Sequence, residues 1–169
     1  TGADFTIAGL SESRIAYYDS TNNDIRAYDS DGYTWNQVGN DLNVKGLSIA
    51  YICKLTSSRI AVPSLSSGTI TAYDFDGTNW SQVGSPLSIT GANREVVQLN
   101  STDVCVRIDT DIATYRFSGS SWSLVGSKTT GQNISVLNQL NSTDVAIIDS
   151  SQNMELYRFN GSTWTQIGN

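Results

Sequence analysis

Apolar and polar residues alternate in short runs, and the runs recur in one order four times. The clearest copy reads Ile70-Thr71-Ala72-Tyr73-Asp74-Phe75, then Asp76-Gly77-Thr78-Asn79, then Trp80-Ser81-Gln82-Val83-Gly84. A period of two places alternate side chains on opposite faces of a strand. A polar turn with glycine between two such runs predicts a hairpin, because glycine accepts a positive φ. The four tryptophans, Trp35, Trp80, Trp122 and Trp164, are spaced by 45, 42 and 42 residues. A period in that range signals a repeat architecture.

The repeats run about 1–40, 41–85, 86–127 and 128–169 within one expected domain, 1–169. Each holds four strand-like pieces. The first is Asp4–Leu10, Leu47–Leu55, Glu95–Leu99 and Ile134–Leu140, closing each time on leucine. A turn of Ser, Thr and Asn follows, whose short side chains bond their own backbone. The second piece is Arg14–Tyr18, Arg59–Val62, Asp103–Ile108 and Asp144–Ile148, followed by a loop of variable length around Asn22-Asn23 and Ser67-Gly68. The third is Ile25–Ser30, Ile70–Phe75, Ile112–Phe117 and Met154–Phe159. It carries Tyr28, Tyr73, Tyr115 and Tyr157, with Phe75, Phe117 and Phe159 two residues on and Ser30 breaking that column. The fourth runs from each tryptophan to Val38, Val83, Val125 or Ile167 and is closed by Gly39, Gly84, Gly126 or Gly168.

Apolar residues stand on both faces of these strands, so both faces of each sheet are expected to be covered. Four strands per repeat, covered sheets and this period predict an all-β protein: a β-propeller with four blades per chain. A β-sandwich is the alternative, and its solvent face should read more polar. Four blades would close as one small ring, form half of a larger ring completed by a second chain, or be a fragment of a longer array.

The pattern resembles the blade repeat of the fungal and bacterial fucose-binding lectins. The carrying residues are Ile15-Ala16-Tyr17-Tyr18, the Asn-rich loop, Ile25, Asp31-Gly32 and Trp35, and more closely Ile60 through Gly68, Ile70, Phe75-Asp76-Gly77 and Trp80. The turn before each tryptophan is also similar to the Asp-box of sialidase-type propellers. The resemblance implies blades of this size with ligand pockets between neighbours, and chains of few blades that complete rings by association. The lectin arginine that grips the sugar is replaced by Ala16, Ala61, Cys105 and Ala146, and the lectin glutamate by Ala27, Ala72, Thr114 and Leu156. The Asp-box aspartate is replaced by Ser30, Phe75, Phe117 and Phe159. The scaffold carries over and the fucose site does not.

Composition narrows the function. Net charge is −6, and the ten Lys and Arg are scattered, so no footprint for nucleic acid exists. No run approaches the roughly 18 apolar residues of a spanning helix, and membrane insertion is not expected. Without histidine the commonest metal ligand and general base is missing. Cys53 and Cys105 have no metal-site spacing, and Cys105 fits a small apolar core position. Cofactors are not expected, and neither is catalysis. Sialidase-like hydrolysis would need an arginine cluster, and inner-strand candidates such as Arg94 and Glu95 occur once.

The aromatic columns are the candidate ligand-binding residues: Trp35, Trp80, Trp122, Trp164, Phe75, Phe117 and Phe159. A tryptophan face between blades stacks on a sugar ring in the functional reading and anchors the outer strand in the structural one. Asp29, Asp31, Asp74 and Asp76 suggest a calcium corner, against which simple turn chemistry is the plainer expectation. Arg14 and Arg59 share a column with Asp103 and Asp144; solvated turn charge, or a charge reversal that steers assembly, accounts for it. Arg116 and Arg158 are candidates to pair across blades with Asp74, and exposed pairs contribute little. Asn100-Ser101-Thr102 and Asn141-Ser142-Thr143 match the N-glycosylation triplet. The expected function is a non-enzymatic binding module with lectin-like glycan recognition at an extracellular or cell surface. The alternative is a structural or protein-interaction scaffold, with another protein or a homo-oligomer as partner. A hydrolase fragment comes third.

Overall fold

The structure is a computed structural model that describes residues 6–49, 51–91 and 95–168. The strands group into four antiparallel sheets of four, each built from consecutive strands. Blade 1 holds β1 (Thr6–Gly9), β2 (Arg14–Asp19), β3 (Asp24–Ser30) and β4 (Trp35–Asn43). Blade 2 holds β5 (Cys53–Lys54), β6 (Arg59–Ser64), β7 (Thr69–Phe75) and β8 (Trp80–Ser88). Blade 3 holds β9 (Glu95–Gln98), β10 (Asp103–Ile108), β11 (Asp111–Phe117) and β12 (Trp122–Thr129). Blade 4 holds β13 (Ile134–Gln139), β14 (Asp144–Asp149), β15 (Met154–Phe159) and β16 (Trp164–Gly168). Arg94 and the start of the piece expected from Asp4 lie outside the described residues. Blades 1 and 2 form one compact unit (Thr1–Ile89), and blades 3 and 4 a second (Thr90–Asn169).

Each blade has a front face, bearing the tyrosine of its third strand, and a back face. Cross-strand register fixes the membership. In blade 1, Ile15 pairs with Tyr28 on the front, while Ala16 pairs with Ala27, and Tyr18 with Ile25, on the back. Within the first unit that back face clusters with the front of blade 2, through Ile60, Val62, Tyr73 and Trp80. The second unit repeats the joint: Cys105 and Ile112 on the back of blade 3 cluster with Val145, Ile147, Tyr157 and Trp164 on the front of blade 4. Burying a side chain of that size favours folding by roughly 1.5–3 kcal/mol, so the joints carry much of the core.

Hydrogen bonds pin both joints. The Asn40 backbone N–H donates to the Thr78 carbonyl (2.7 Å), and its Nδ2 to Asn79 Oδ1 (2.7 Å). In the second unit the Leu137 N–H donates to Glu95 Oε2 (2.8 Å), and Gln139 Nε2 to the Leu99 carbonyl (3.1 Å). Glu95 is thereby committed to packing the blades together.

Two features of the strands differ from expectation. The fourth strand does not end at its glycine: β4 continues through Gly39 to Asn43. Gly39 has φ +69° and lies where the β3–β4 register shifts, so the residue expected to close the strand is a bulge. The first strand of blade 2, expected over Leu47–Leu55, pairs only at Cys53-Lys54. Before it, Gly46 (φ +84°) turns the chain, and the Ser48 carbonyl accepts from the Leu65 N–H (2.8 Å). Ile49 and Ile52 are buried without ladder partners. Residues 46–49 and 51–52 form a loop held by these apolar contacts and this cross-link.

The turn charges form ion pairs inside each blade. Arg14 donates through Nε and Nη2 to the Asp29 carboxylate (2.6 Å each), and Arg59 does the same to Asp74 (2.6 and 2.7 Å). In blades 3 and 4 the polarity is exchanged: Arg116 grips Asp103 (2.7 Å twice), and Arg158 grips Asp144 (2.8 Å twice). This corrects the pairing with Asp74 across blades, because strand register sets Asp103 opposite Arg116 and Asp144 opposite Arg158. It also corrects solvated charge, since the Asp103 and Asp144 side chains are buried.

The Asn-Ser-Thr triplets belong to the same device. Asn141 Oδ1 accepts from the backbone N–H groups of Thr143 (2.8 Å) and Asp144 (2.9 Å), while its Nδ2 donates to Asp144 (3.0 Å). Asn100 does likewise beside Asp103. The remaining acidic turns are chemically similar: Asp31 Oδ1 accepts from Tyr33 and Thr34, and Asp76 Oδ1 from Thr78 and Asn79. These carboxylates are engaged in turn chemistry.

Hydrogen bonds from Arg158 and Asn141 hold the Asp144 carboxyl well below the usual carboxylate range. At Asp103, burial works to raise the value, and hydrogen bonds from Arg116 and Asn100 outweigh it. A depressed native value contributes stability above the unfolded value of about 4, and that stability is lost as pH falls through the native value. Asp144→Asn is therefore expected to cost about 2 kcal/mol at pH 7, the scale of hydrogen bonds to a charged group. The gap between wild type and variant should narrow below about pH 4, where the wild-type carboxylate begins to lose its advantage. Urea denaturation at pH 7 and at pH 3 checks both points.

Candidate functional site: a polar pocket between blades 1 and 2

The aromatic column divides into packed members and one open member. Phe75, Phe117 and Phe159 are buried. Each lies against the tryptophan of its own blade, with ring centroids 4.8, 4.8 and 5.0 Å apart. Trp164 is buried, and its Nε1 donates to Thr114 Oγ1 (3.0 Å) on the back of blade 3. Ala27 occupies the Thr114 position in blade 1, and Trp80 Nε1 is buried with no acceptor among the described residues. Trp80 and Trp122 are half-buried. Trp35, at 49% exposure, is the open one. With Ile15, Tyr17, Asp19, Arg26 and Tyr28 it lines a shallow groove of about 450 Å³ on the front of blade 1.

A second concavity of about 450 Å³ lies at the joint of blades 1 and 2. It is lined by Tyr18, Ser20, Asn23, Gly46, Leu47, Ser48, Ile49 and Ser66. Three loop segments build it. The β2–β3 loop brings Ser20 and Asn23. Asp19 holds that loop by accepting from the backbone N–H of Thr21 (2.9 Å) and from Asn22 Nδ2 (2.8 Å). These bonds keep the Asp19 carboxyl below its ordinary range, that of the Asn22 side chain foremost. Asn23 takes a left-handed backbone (φ 58°), which asparagine tolerates better than most residues.

The segment expected as a strand brings Gly46 through Ile49, and the β6–β7 loop brings Ser66. Ser66 Oγ accepts from the Ser48 N–H (3.2 Å) and donates to the Gly46 carbonyl (3.3 Å). The Tyr18 hydroxyl reaches toward Asn23 Oδ1 at 3.5 Å. The Val44 N–H donates to the Asn23 carbonyl (3.0 Å), tying two of the walls together.

The chemistry of this pocket is uncharged. Hydroxyls, an amide and backbone groups surround the apolar side chains of Leu47 and Ile49. Donors and acceptors are mixed, as a neutral polyhydroxylated ligand requires. Its size lies in the range of small-molecule sites. No lining residue is acidic or basic, so the pocket supplies neither a general acid–base pair nor an activated nucleophile. The two cysteines are buried elsewhere, and burial pushes the Cys53 thiol up to about 12. None of the seven aromatic candidates lines the pocket. Its residues come from the variable loops and the irregular segment; the loop positions around Asn22-Asn23 and Ser67-Gly68 were the only signal for them.

No family model matches the chain, and no curated protein matches it. Solved structures do. A protein from Lactobacillus plantarum is 14% identical with a TM-score of 0.72, over 96% of this chain and 54% of its own. YCF48, solved bound to a D1 peptide, is 15% identical with a TM-score of 0.67, over 100% and 56%. KlAtg21, solved with the coiled-coil of AgAtg16, is 12% identical with a TM-score of 0.66, over 98% and 57%. The chain thus spans a little over half the length of each structure. With the four antiparallel four-stranded sheets, these likenesses define the fold as an all-β propeller of four-stranded blades, four in this chain. At such identities the likeness is one of fold.

Proposed function

We propose that the chain is a non-enzymatic binding module that recognises a neutral glycan, in a lectin-like manner, in the pocket between blades 1 and 2. The observation that carries this reading is the pocket's uncharged lining of Tyr18, Ser20, Asn23, Ser48 and Ser66 around Leu47 and Ile49. Position at a blade joint supports it as well. An extracellular or cell-surface setting suits a chain rich in Ser, Thr and Asn with few lysines. The aromatic columns serve this function as framework, and the sugar contacts come from loops.

A second reading, recognition of protein, is favoured by the open front of blade 1. Tyr, Trp and Arg are the residues that dominate protein interfaces. Trp35, Tyr17, Tyr28 and Arg26 stand together there, with Tyr17 and Tyr28 edge to face at 6.2 Å. YCF48 and KlAtg21 are both described with polypeptide ligands.

A glycan panel probed with wild type, Asn23→Gly and Trp35→Ala separates the readings. Asn23→Gly keeps the left-handed backbone and removes the amide. The glycan reading expects wild-type binding that falls about tenfold in Asn23→Gly, the scale of one lost hydrogen bond, and persists in Trp35→Ala. A folded wild type that binds nothing on the panel overturns the glycan reading. Selection of a displayed random peptide library, with enrichment lost in Trp35→Ala alone, establishes the second.

A further inference from the structure

The walls of the pocket between blades 1 and 2 leave a specific set of groups uncommitted. The Asn23 side chain is engaged only at Oδ1, by the Tyr18 hydroxyl at 3.5 Å. Its Nδ2 and the hydroxyls of Ser20 and Ser48 hold no hydrogen bond among the described residues. The Ser66 hydroxyl, by contrast, is occupied by the Ser48 N–H and the Gly46 carbonyl. Ser20 and Asn23 belong to the β2–β3 loop, and Ser48 to the segment on the other wall. Free donors and acceptors therefore line the pocket from two sides.

The apolar lining is aliphatic. Leu47 is half-buried and Ile49 is buried. Tyr18, the one ring, is 4% exposed, so no aromatic face is open for a sugar ring to stack on. Branched aliphatic side chains suit a methyl group instead. A trans secondary amide that carries a methyl matches both features. Its planar C–N bond holds the C=O and the N–H on opposite edges, so it needs a donor on one wall and an acceptor on the other.

The joint of blades 3 and 4 has the same frame and a different lining. Gly131 (φ +87°) stands where Gly46 (φ +84°) does. The Ser150 N–H donates to the Asn133 carbonyl (2.7 Å), as the Leu65 N–H does to that of Ser48. In this frame Gln132 replaces Leu47 and Asn133 replaces Ser48. Arg107, paired with Ile112 as Tyr18 is with Ile25, replaces the tyrosine. Its Nη1 donates to the Ile134 carbonyl. A polar amide and a guanidinium thus stand where the first joint has Leu47 and Tyr18.

We propose that the ligand of the pocket is an N-acetylhexosamine held by its acetamido group. The methyl lies against Leu47 and Ile49, the carbonyl accepts from Asn23 Nδ2, and the amide N–H donates to the Ser48 hydroxyl. Leu47 sets the preference, and the joint of blades 3 and 4 does not share it. This rests on the glycan reading above and names the sugar class.

Titration calorimetry of the full chain with the methyl glycosides of N-acetylglucosamine, N-acetylgalactosamine, glucose and galactose tests it. The acetamido sugars should bind at least about tenfold more tightly than the parent hexoses, the combined scale of one buried methyl and one further hydrogen bond. Binding should saturate at one sugar per chain. The N-formyl analogue keeps the amide and drops the methyl, and should bind about fourfold more weakly than the N-acetyl sugar. Leu47→Ser, checked for fold by circular dichroism, should erase that difference between acetyl and formyl. The comparison of ligands on wild type stands even where the variant fails to fold. Acetamido and parent sugars of equal affinity, with binding still weakened in Asn23→Gly, overturn this inference and leave the glycan reading standing. Two equal sites per chain overturn it as well, because the second joint would then take the same group. Folded wild type that binds no sugar of a wider neutral panel overturns both.

Discussion

Trp164→Ala is expected to destabilise the second unit by about 3–5 kcal/mol, the usual cost of deleting a buried indole. Trp164 is 6% exposed, stacks on Phe159 at a centroid distance of 5.0 Å and donates to Thr114 across the joint of blades 3 and 4. Its removal leaves a cavity among Cys105, Ile112, Val145 and Tyr157, and an orphaned hydroxyl on Thr114. Typical domains have only about 5–15 kcal/mol in hand, so the variant should be close to unfolding at moderate urea. Trp35→Ala deletes the same side chain from the same repeat position and should cost less than about 1 kcal/mol, as exposed substitutions do. Urea denaturation followed by circular dichroism compares them without relying on the deleted fluorophore. Equal losses at the two positions would mean that the two blade fronts are not differently covered.

Gly39→Ala should be similarly damaging, through overpacking. The added Cβ would overlap the Thr78 carbonyl oxygen and approach Phe75 Cζ at 2.8 Å, both in the next blade. The backbone there has φ +69°, which an L side chain adopts at a cost of roughly 1–2 kcal/mol. Overpacking adds about 1–3 kcal/mol, so a total near 3 kcal/mol or more is expected. The contact is with backbone, which cannot rotate aside. At Gly126 the same addition would lie 2.5 Å from the Ser162 carbonyl oxygen and 2.8 Å from Phe159 Cε2. Gly168→Ala supplies the control. Its nearest obstacle is Leu156 Cδ1 at 3.2 Å, the end of a side chain that has room to move. A thermal melt of the three alanine variants should show large shifts for Gly39 and Gly126 and a small one for Gly168.

The blades themselves were legible because every level of the sequence agreed on them. Ile70 through Phe75 alternates, Asp76-Gly77 makes the turn, Trp80 opens the next strand, and three other stretches repeat the scheme. What was not legible depended on register or on distant contacts. The exchange of Arg14 and Arg59 for Asp103 and Asp144 was visible in one column. Its complement, Asp29 and Asp74 exchanged for Arg116 and Arg158, lies in another column, and only the β2–β3 type pairing brings the two together. The Asn-Ser-Thr triplets match the glycosylation pattern by chance of turn composition, and their use as turn supports depends on the buried aspartate that follows. Leu47–Leu55 has enough apolar residues for a strand. Yet Gly46, the Ser48–Leu65 hydrogen bond and the burial of Ile49 and Ile52 hold most of it as a loop. That loop then forms one wall of the polar pocket, so the candidate site was hidden by the same departure from regularity.

The central claim is that one repeated tryptophan stands in two environments: inside the joints it packs blades together, and on blade 1 it is open to solvent. Hydroxyl-radical footprinting of the wild-type protein, read residue by residue by mass spectrometry across a dilution series, tests this most directly. Trp80 and Trp164 should resist oxidation at every concentration. Trp35 should react fast in dilute protein. Trp164 reacting as fast as Trp35 in dilute, folded protein would contradict the account.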